Sequence, residues 1–197
     1  MTQQKKFSTY DLVIVGVMAA LVFAATFFLK IGPIPTPVGP TQIKLANALC
    51  LLAGMLFGGV RGGLAAGIGS ALFDLSNPAF VESAPYTLVF FFLMAFVCGL
   101  VANLGGKHGT DRKLNLLGAL AGSLTYLVLN FGKKILLLLL AGSSLQAAAV
   151  SCATSFFFSV INMVVGVVIS VLLAPVCRQA LVQAGLGPKL FPHHNAA

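Results

Sequence analysis

Residues 12–29, LVIVGVMAALVFAATFFL, carry no charged side chain, and this stretch limits what the chain can fold into more than any other. As an α-helix rising about 1.5 Å per residue, the segment from 11 to 30 spans about 30 Å, the thickness of a bilayer's hydrocarbon core. Further apolar stretches follow at 43–58, 60–75, 86–104, 114–141 and 149–174, separated only by short polar segments. With 58% hydrophobic and 8% charged residues, the composition excludes a water-soluble globule, in which charged residues approach about a quarter of the total. The expected architecture is an all-α integral membrane protein. It is a single bundle of six transmembrane helices over 11–177, with a cytoplasmic lead (1–10) and a cytoplasmic tail (178–197). Such a chain leaves no room for a soluble catalytic domain, and no small-residue cleavage site follows the first span, which reads as retained. The net charge of +8 belongs to the loops of a membrane protein rather than to a nucleic-acid surface.

Small residues are placed where helices approach closely. Gly16, Ala20 and Ala24 fall one turn apart on the first span, and removing side-chain bulk is how helices associate in lipid, where burying apolar surface gives no net drive. Glycines at 54, 58 and 62, and at 59, 63 and 67, repeat every four residues on the next two spans, predicting close contact between them. Between spans one and two lies IGPIPTPVGPTQIK, whose four prolines and two glycines cannot continue a helix and predict a long ordered loop. Lys and Arg accumulate on the cytoplasmic side. Six spans with the N-terminus inside place Lys5, Lys6, Arg61, Lys107, Arg112, Lys113, Arg178 and Lys189 there, against Lys30 and Lys44 outside. The proline-rich loop and those around SNPAF and GSSLQ then share the outer face.

Polar residues inside the spans mark the chemistry. Lys133 and Lys134 are the most costly, at about 2.5–3.5 kcal/mol each near the bilayer centre on insertion scales. Either one snorkels to the interface or at least one lines a polar cavity. Tyr126, Asn130 and Lys134 recur every four residues and share a face, so they could bind a polar ligand head, with Phe131, Phe156, Phe157 and Phe158 as stacking surface. Asp74 is a cap or a ligand contact. Asn47 and Asn162 are buried amides that need partners, across helices or in a ligand. Cys50, Cys98, Cys152 and Cys177 lack paired spacing, and the histidines occur only at 108, 193 and 194, so neither a metal site nor a disulfide framework is indicated. Asn77-Pro78-Ala79 matches half of a water-channel signature that needs two copies. A membrane serine protease would need a histidine in a span, which is absent.

The whole chain resembles the substrate-binding S components of energy-coupling factor (ECF) transporters, the vitamin-uptake systems of prokaryotes. The resemblance rests on Ala20-x-x-x-Ala24, the proline- and glycine-rich first loop, the block from Leu52 through GGLAAGIGSALFDL to Leu75, and Ala84-Pro85-Tyr86-Thr87. It is nearest the hydroxymethylpyrimidine, pyridoxine and riboflavin-like branch. Relatives there carry a tyrosine and an acidic residue where this chain has Tyr126 and Asn130. The resemblance implies a multi-pass protein of the prokaryotic cell membrane with both termini cytoplasmic. It also implies that Gly16, Ala20 and Ala24 dock on a coupling membrane subunit shared with two ATPases. The ligand site lies toward the outer face, closed by the first loop, with Lys44, Asn47, Asp74, Tyr86, Tyr126, Asn130, Lys133, Lys134, Phe158 and Asn162 as candidate contacts.

The expected function is therefore capture of a small vitamin or precursor. The chain has no catalysis and no catalytic cofactor of its own, and ATP is hydrolysed by the partner subunits, since it lacks a phosphate-binding GxxxxGK[ST] loop. A stand-alone secondary transporter or small channel is the alternative. A membrane-embedded enzyme or assembly factor has no catalytic constellation behind it. Riboflavin, pyridoxine, a thiamine precursor, pantothenate, folate and cobalamin relatives all stay open as ligands.

Overall fold

The computed structural model describes residues 8–106 and 109–190. Lys5, Lys6, Lys107 and the three histidines lie outside the described residues, as does the side chain of Lys189. The first helix, α1 (Thr9–Phe28), opens on a reciprocal cap. The Ser8 hydroxyl accepts from the first turn, and the Ser8 amide donates to Asp11 Oδ2 at 3.0 Å. Asp11 also pairs with Arg61 at 2.8 Å, tying the start of α1 to the third helix.

The proline-rich segment, expected as a loop, is a β-hairpin. Strand β1 (Lys30–Ile34) runs antiparallel to β2 (Thr41–Lys44), with Lys30 opposite Lys44 and Ile31 opposite Ile43. The prolines permit this because three of them fall in the connection, and Pro33 sits between Ile31 and Ile34, where the register shifts and no ladder donor is needed. The far edge of β2 is paired by a side chain. Asn162 accepts from the Lys44 amide at 2.9 Å and donates to the Gln42 carbonyl at 2.8 Å. Its amide thus stands in for a third strand.

Helices α2 (Ala46–Phe57) and α3 (Gly59–Ser76) are separated at Gly58, whose φ of +84° only glycine adopts readily. After a 3-10 turn (Val81–Ser83), α4 (Ala84–Ala102) leads through a second 3-10 turn (Leu104–Gly106) to α5 (Arg112–Leu140). Asp111 caps α5 by accepting from the amides of Lys113 and Leu114. The long α6 (Leu145–Gln183) and the short α7 (Gly187–Leu190) complete the described chain. The expectation that Pro175 ends the sixth span is corrected here, because α6 continues through it to Gln183. Proline removes one backbone donor, but Val171, Ala174, Cys177 and Leu181 on either side pack on the main core and hold the helix across the gap. The boundary at 177–178 therefore falls within a helix.

Among the described residues the six longer helices, α1 to α6, form the bundle, and four segments are long and apolar enough to cross a membrane: Thr9–Phe28, Val81–Ala102, Arg112–Leu140 and Leu145–Gln183. Helix α3 lies against α1, α2 and α4, and α5 packs on α4 and α6. Glycines set these approaches. A Cβ at Gly67 would stand 2.6 Å from the Leu88 carbonyl oxygen, and one at Gly118 2.7 Å from that of Cys98. At Gly122 it would overlap the Met94 carbonyl. Of the glycine rows anticipated on spans two and three, Gly62 makes the expected approach to Ala53 and Gly54 of α2, whereas Gly54, Gly59, Gly63 and Gly67 face α4 and a Cβ at Gly58 would make no close contact.

Two outcomes follow. Gly122→Val should lower stability by about 1–3 kcal/mol through overpacking, whereas Gly132→Ala on the same helix, with open space around its Cα, should be neutral or stabilise by up to about 1 kcal/mol. Thermal unfolding in detergent compares them, and equal effects would show that the α4–α5 approach does not limit stability. Asn162→Leu should free the outer edge of β2. Hydrogen exchange at the Lys44 amide should then quicken by about tenfold or more, the loss expected for a buried hydrogen bond. An unchanged rate would mean that the hairpin is held by other contacts.

Candidate ligand cavity

The hairpin, the start of α2, the end of α3, the start of α4, the second half of α5 and the middle of α6 enclose a cavity of about 630 Å³. This lies within the size range of sites for small organic ligands. Each wall follows from local sequence. Helix α5 brings Tyr126, Asn130, Lys133 and Lys134 to it, because positions four apart share a helical face. Helix α6 contributes Ser159 and Asn162, three apart, and α4 contributes two i, i+4 pairs, Tyr86 with Phe90 and Thr87 with Phe91.

Nine of the ten anticipated ligand contacts line this one space: Lys44, Asn47, Asp74, Tyr86, Tyr126, Asn130, Lys133, Lys134 and Asn162. Phe158 does not. It directly precedes Ser159, so it points about 100° away from the inward face of α6, and its ring packs edge-on against Phe157 at 5.9 Å. Asn162 lines the cavity with both polar atoms committed to β2, so its part in the site is to hold Gln42 and Lys44 in place.

The chemistry of the wall is mixed. The Phe91 and Tyr126 rings meet at 4.9 Å and 52°, forming an aromatic floor, and the Lys44 ammonium lies 4.4 Å over the Phe91 ring. Asp74, buried at the end of α3, accepts from the hydroxyl of Thr87, one turn before Phe91, at 2.5 Å. The Lys133 ammonium stands 3.7 Å from the centroid of Tyr86, and Lys134 donates to the hydroxyl of Ser155 on α6. Two buried acceptors, Gln42 Oε1 and Asn47 Oδ1, have no hydrogen-bond partner among the described residues. Buried polar atoms are rarely left unpaired, and both belong to residues of the cavity wall. The arrangement can stack a flat ring, accept hydrogen bonds from it and offer cations nearby. Among the described residues no group of three or more metal-binding side chains gathers.

Gln42, Phe90, Phe91 and Ser159 are absent from the sequence-based candidates, and Thr87 enters there only within the Ala84-Pro85-Tyr86-Thr87 motif. A signal for two of them existed: Thr87 and Phe91 stand one turn apart on one face of the helix that begins at Tyr86's turn. The small stripe of α1 lies elsewhere. Val15, Met18, Ala19 and Val22 turn inward, while Gly16 and Ala20 are exposed and Ala24 is half-buried. A Cβ at Gly16 would meet nothing within 4 Å.

Comparison with known proteins fits this geometry. The family model described as "ECF-type riboflavin transporter, S component" matches residues 6–179. Among solved structures, one described as "Structure and mechanism of the S component of a bacterial ECF transporter" superimposes with a TM-score of 0.58. The two chains are 23% identical, and the match covers 87% of this chain and 97% of the other. At that identity the likeness establishes a shared fold. A search of curated proteins finds no match. Because the family match runs over nearly the whole bundle, the chain belongs to the family of ECF-type riboflavin transporter S components, the substrate-binding subunits of membrane importers.

Proposed function

We propose that the chain captures riboflavin or a close flavin precursor at the outer face of a prokaryotic cell membrane. It then delivers this ligand by docking on a coupling subunit whose two ATPase partners hydrolyse ATP. The observation that carries this reading is the cavity itself: an aromatic floor of Phe91 and Tyr126, with Lys44, Asp74 and Asn130 on the surrounding wall. A flat heterocycle with polar edge groups fits such a wall, because its faces stack and its edge meets the polar side chains of Asp74, Asn130 and the lysines. The family description points to the same ligand class.

The bundle is read as six-spanning with both termini inside. Helix α2, of 12 residues, rises about 18 Å, and the hairpin directly before it completes the depth. Such non-helical backbone is tolerated at membrane depth where it is buried in protein or lines a cavity. The outer ends are those that carry the hairpin, the turn at Val81–Ser83 and the α5–α6 connection. Arg61, Arg112, Lys113 and Arg178 gather toward the opposite ends, as the positive-inside rule asks.

Docking is assigned to the Gly16, Ala20 and Ala24 face of α1, exposed at the first two and half-buried at the third. Internal close packing of the bundle uses other glycines, so this stripe is free for another helix. Replacing Ala20 and Ala24 together by Leu should reduce ATP-driven riboflavin uptake by about tenfold or more when the partner subunits are co-reconstituted, with the riboflavin Kd within about threefold of wild type. Equal loss of uptake and affinity would place the stripe inside the fold. Uptake by the chain without any ATPase would favour a stand-alone transporter.

A further inference from the structure

We infer that Lys133 and Lys134 form an anion subsite at one end of the cavity, so that the chain takes a ligand bearing a phosphate monoester or carboxylate beyond its ring system. This rests on the flavin reading for the identity of the ring and extends it to the ligand's tail.

The geometry is specific to these two lysines. Both lie on the α5 wall of the cavity, one turn beyond Asn130. Lys133 reaches across to the α4 wall, with its ammonium on the Tyr86 ring, and Lys134 reaches α6 at Ser155, a fully buried hydroxyl one turn before Ser159 of the cavity wall. Neither therefore extends away along the bundle surface. The two ammonium groups are directed between α4, α5 and α6.

Neither lysine is held in a direct ion pair among the described residues. Arg61 and Asp11 form an ion pair, but Lys44, Lys133 and Lys134 have no carboxylate within ion-pair distance among the described residues. The cavity wall holds three lysines against two acids, Asp74 and Glu82, and Asp74 is engaged by Thr87 on the α3 side. An ammonium has three donors. Ser155 accepts from one of those of Lys134, and the face of Tyr86 engages Lys133 through its π electrons rather than through a hydrogen-bond acceptor. Unpaired cations in a membrane helix are costly and face cavities or partners. An oxyanion between them would supply the missing acceptor through charge-assisted hydrogen bonds.

The test compares riboflavin with its 5′-phosphate on the purified full chain in lipid nanodiscs, using titration of flavin fluorescence. Wild type should bind the phosphate ester at least as tightly as riboflavin. In the Lys133→Gln, Lys134→Gln double variant the ratio of phosphate-ester to riboflavin affinity should fall by about tenfold or more, the size expected for lost charge-assisted hydrogen bonds. The Lys133→Arg, Lys134→Arg variant should restore most of it. If wild type binds riboflavin but rejects the ester by about tenfold or more, the subsite is overturned and the flavin reading stands. A double variant with an unchanged ratio overturns it as well. If riboflavin itself does not bind, the flavin reading fails, and inorganic pyrophosphate decides the subsite. Protection of Lys133 and Lys134 from amine acylation, read by mass spectrometry, supports it, and acylation unaffected by pyrophosphate overturns it.

Discussion

In lipid no hydrophobic drive pulls one helix onto another, so this bundle depends on backbones that come close enough for dispersion to act. The glycines make that approach, and where they stop determines where the ligand site begins. On α5, Gly118 and Gly122 sit against the carbonyls of Cys98 and Met94. One turn further along the same helix the face changes to Tyr126, then Asn130, then Lys133 and Lys134, and the space between the helices becomes the cavity. On α6, Gly166 lies beside Asn47 and Ala48, and the turns before it carry Asn162 and Ser159. One end of the bundle is closed by contact between main chains. The other is held open by side chains that need a partner.

The hairpin covers that open end, and its attachment is unusually local. Two residues of β2, Gln42 and Lys44, contribute side chains to the cavity while their backbone atoms are held by Asn162. A change at the hairpin is therefore felt directly at the wall on which a ligand would rest. The exposed stripe on α1 sits on a helix whose inward face packs on α3 rather than on the cavity. The stripe proposed for docking is thus set apart from the cavity proposed for the ligand.

Much of this was legible from residue order. Uncharged runs gave the helices, and the spacing of small residues gave the α2–α3 approach at Gly62 but not the contacts of Gly59, Gly63, Gly67, Gly118 and Gly122 with α4. The four-residue spacing from Tyr126 to Lys134 put them on one face, and the resemblance to S components agrees with the family match. The hairpin was not legible, because four prolines argue for a loop until one sees that TQIK contains none and that an amide 118 positions away, in Asn162, completes its edge. Phe91 and Thr87 were hidden for another reason. In an apolar span every face looks the same from composition, and only the neighbouring helix decides which face is inward. Phe158 illustrates the converse, a fitting residue type rotated by one position off the inward face of α6. Pro175 reads as a helix stop, yet packing on both sides of it outweighed one missing donor.

The central claim is that the ligand binds beneath the hairpin and against α4, α5 and α6. Hydrogen–deuterium exchange of the full chain in nanodiscs, with and without riboflavin, tests it directly. Slower exchange is expected at 41–47, 84–91 and 126–134, with little change over 54–63, where glycine contacts already close the bundle. Protection confined to α1 or to the glycine-packed end, with none in the hairpin, would contradict the account.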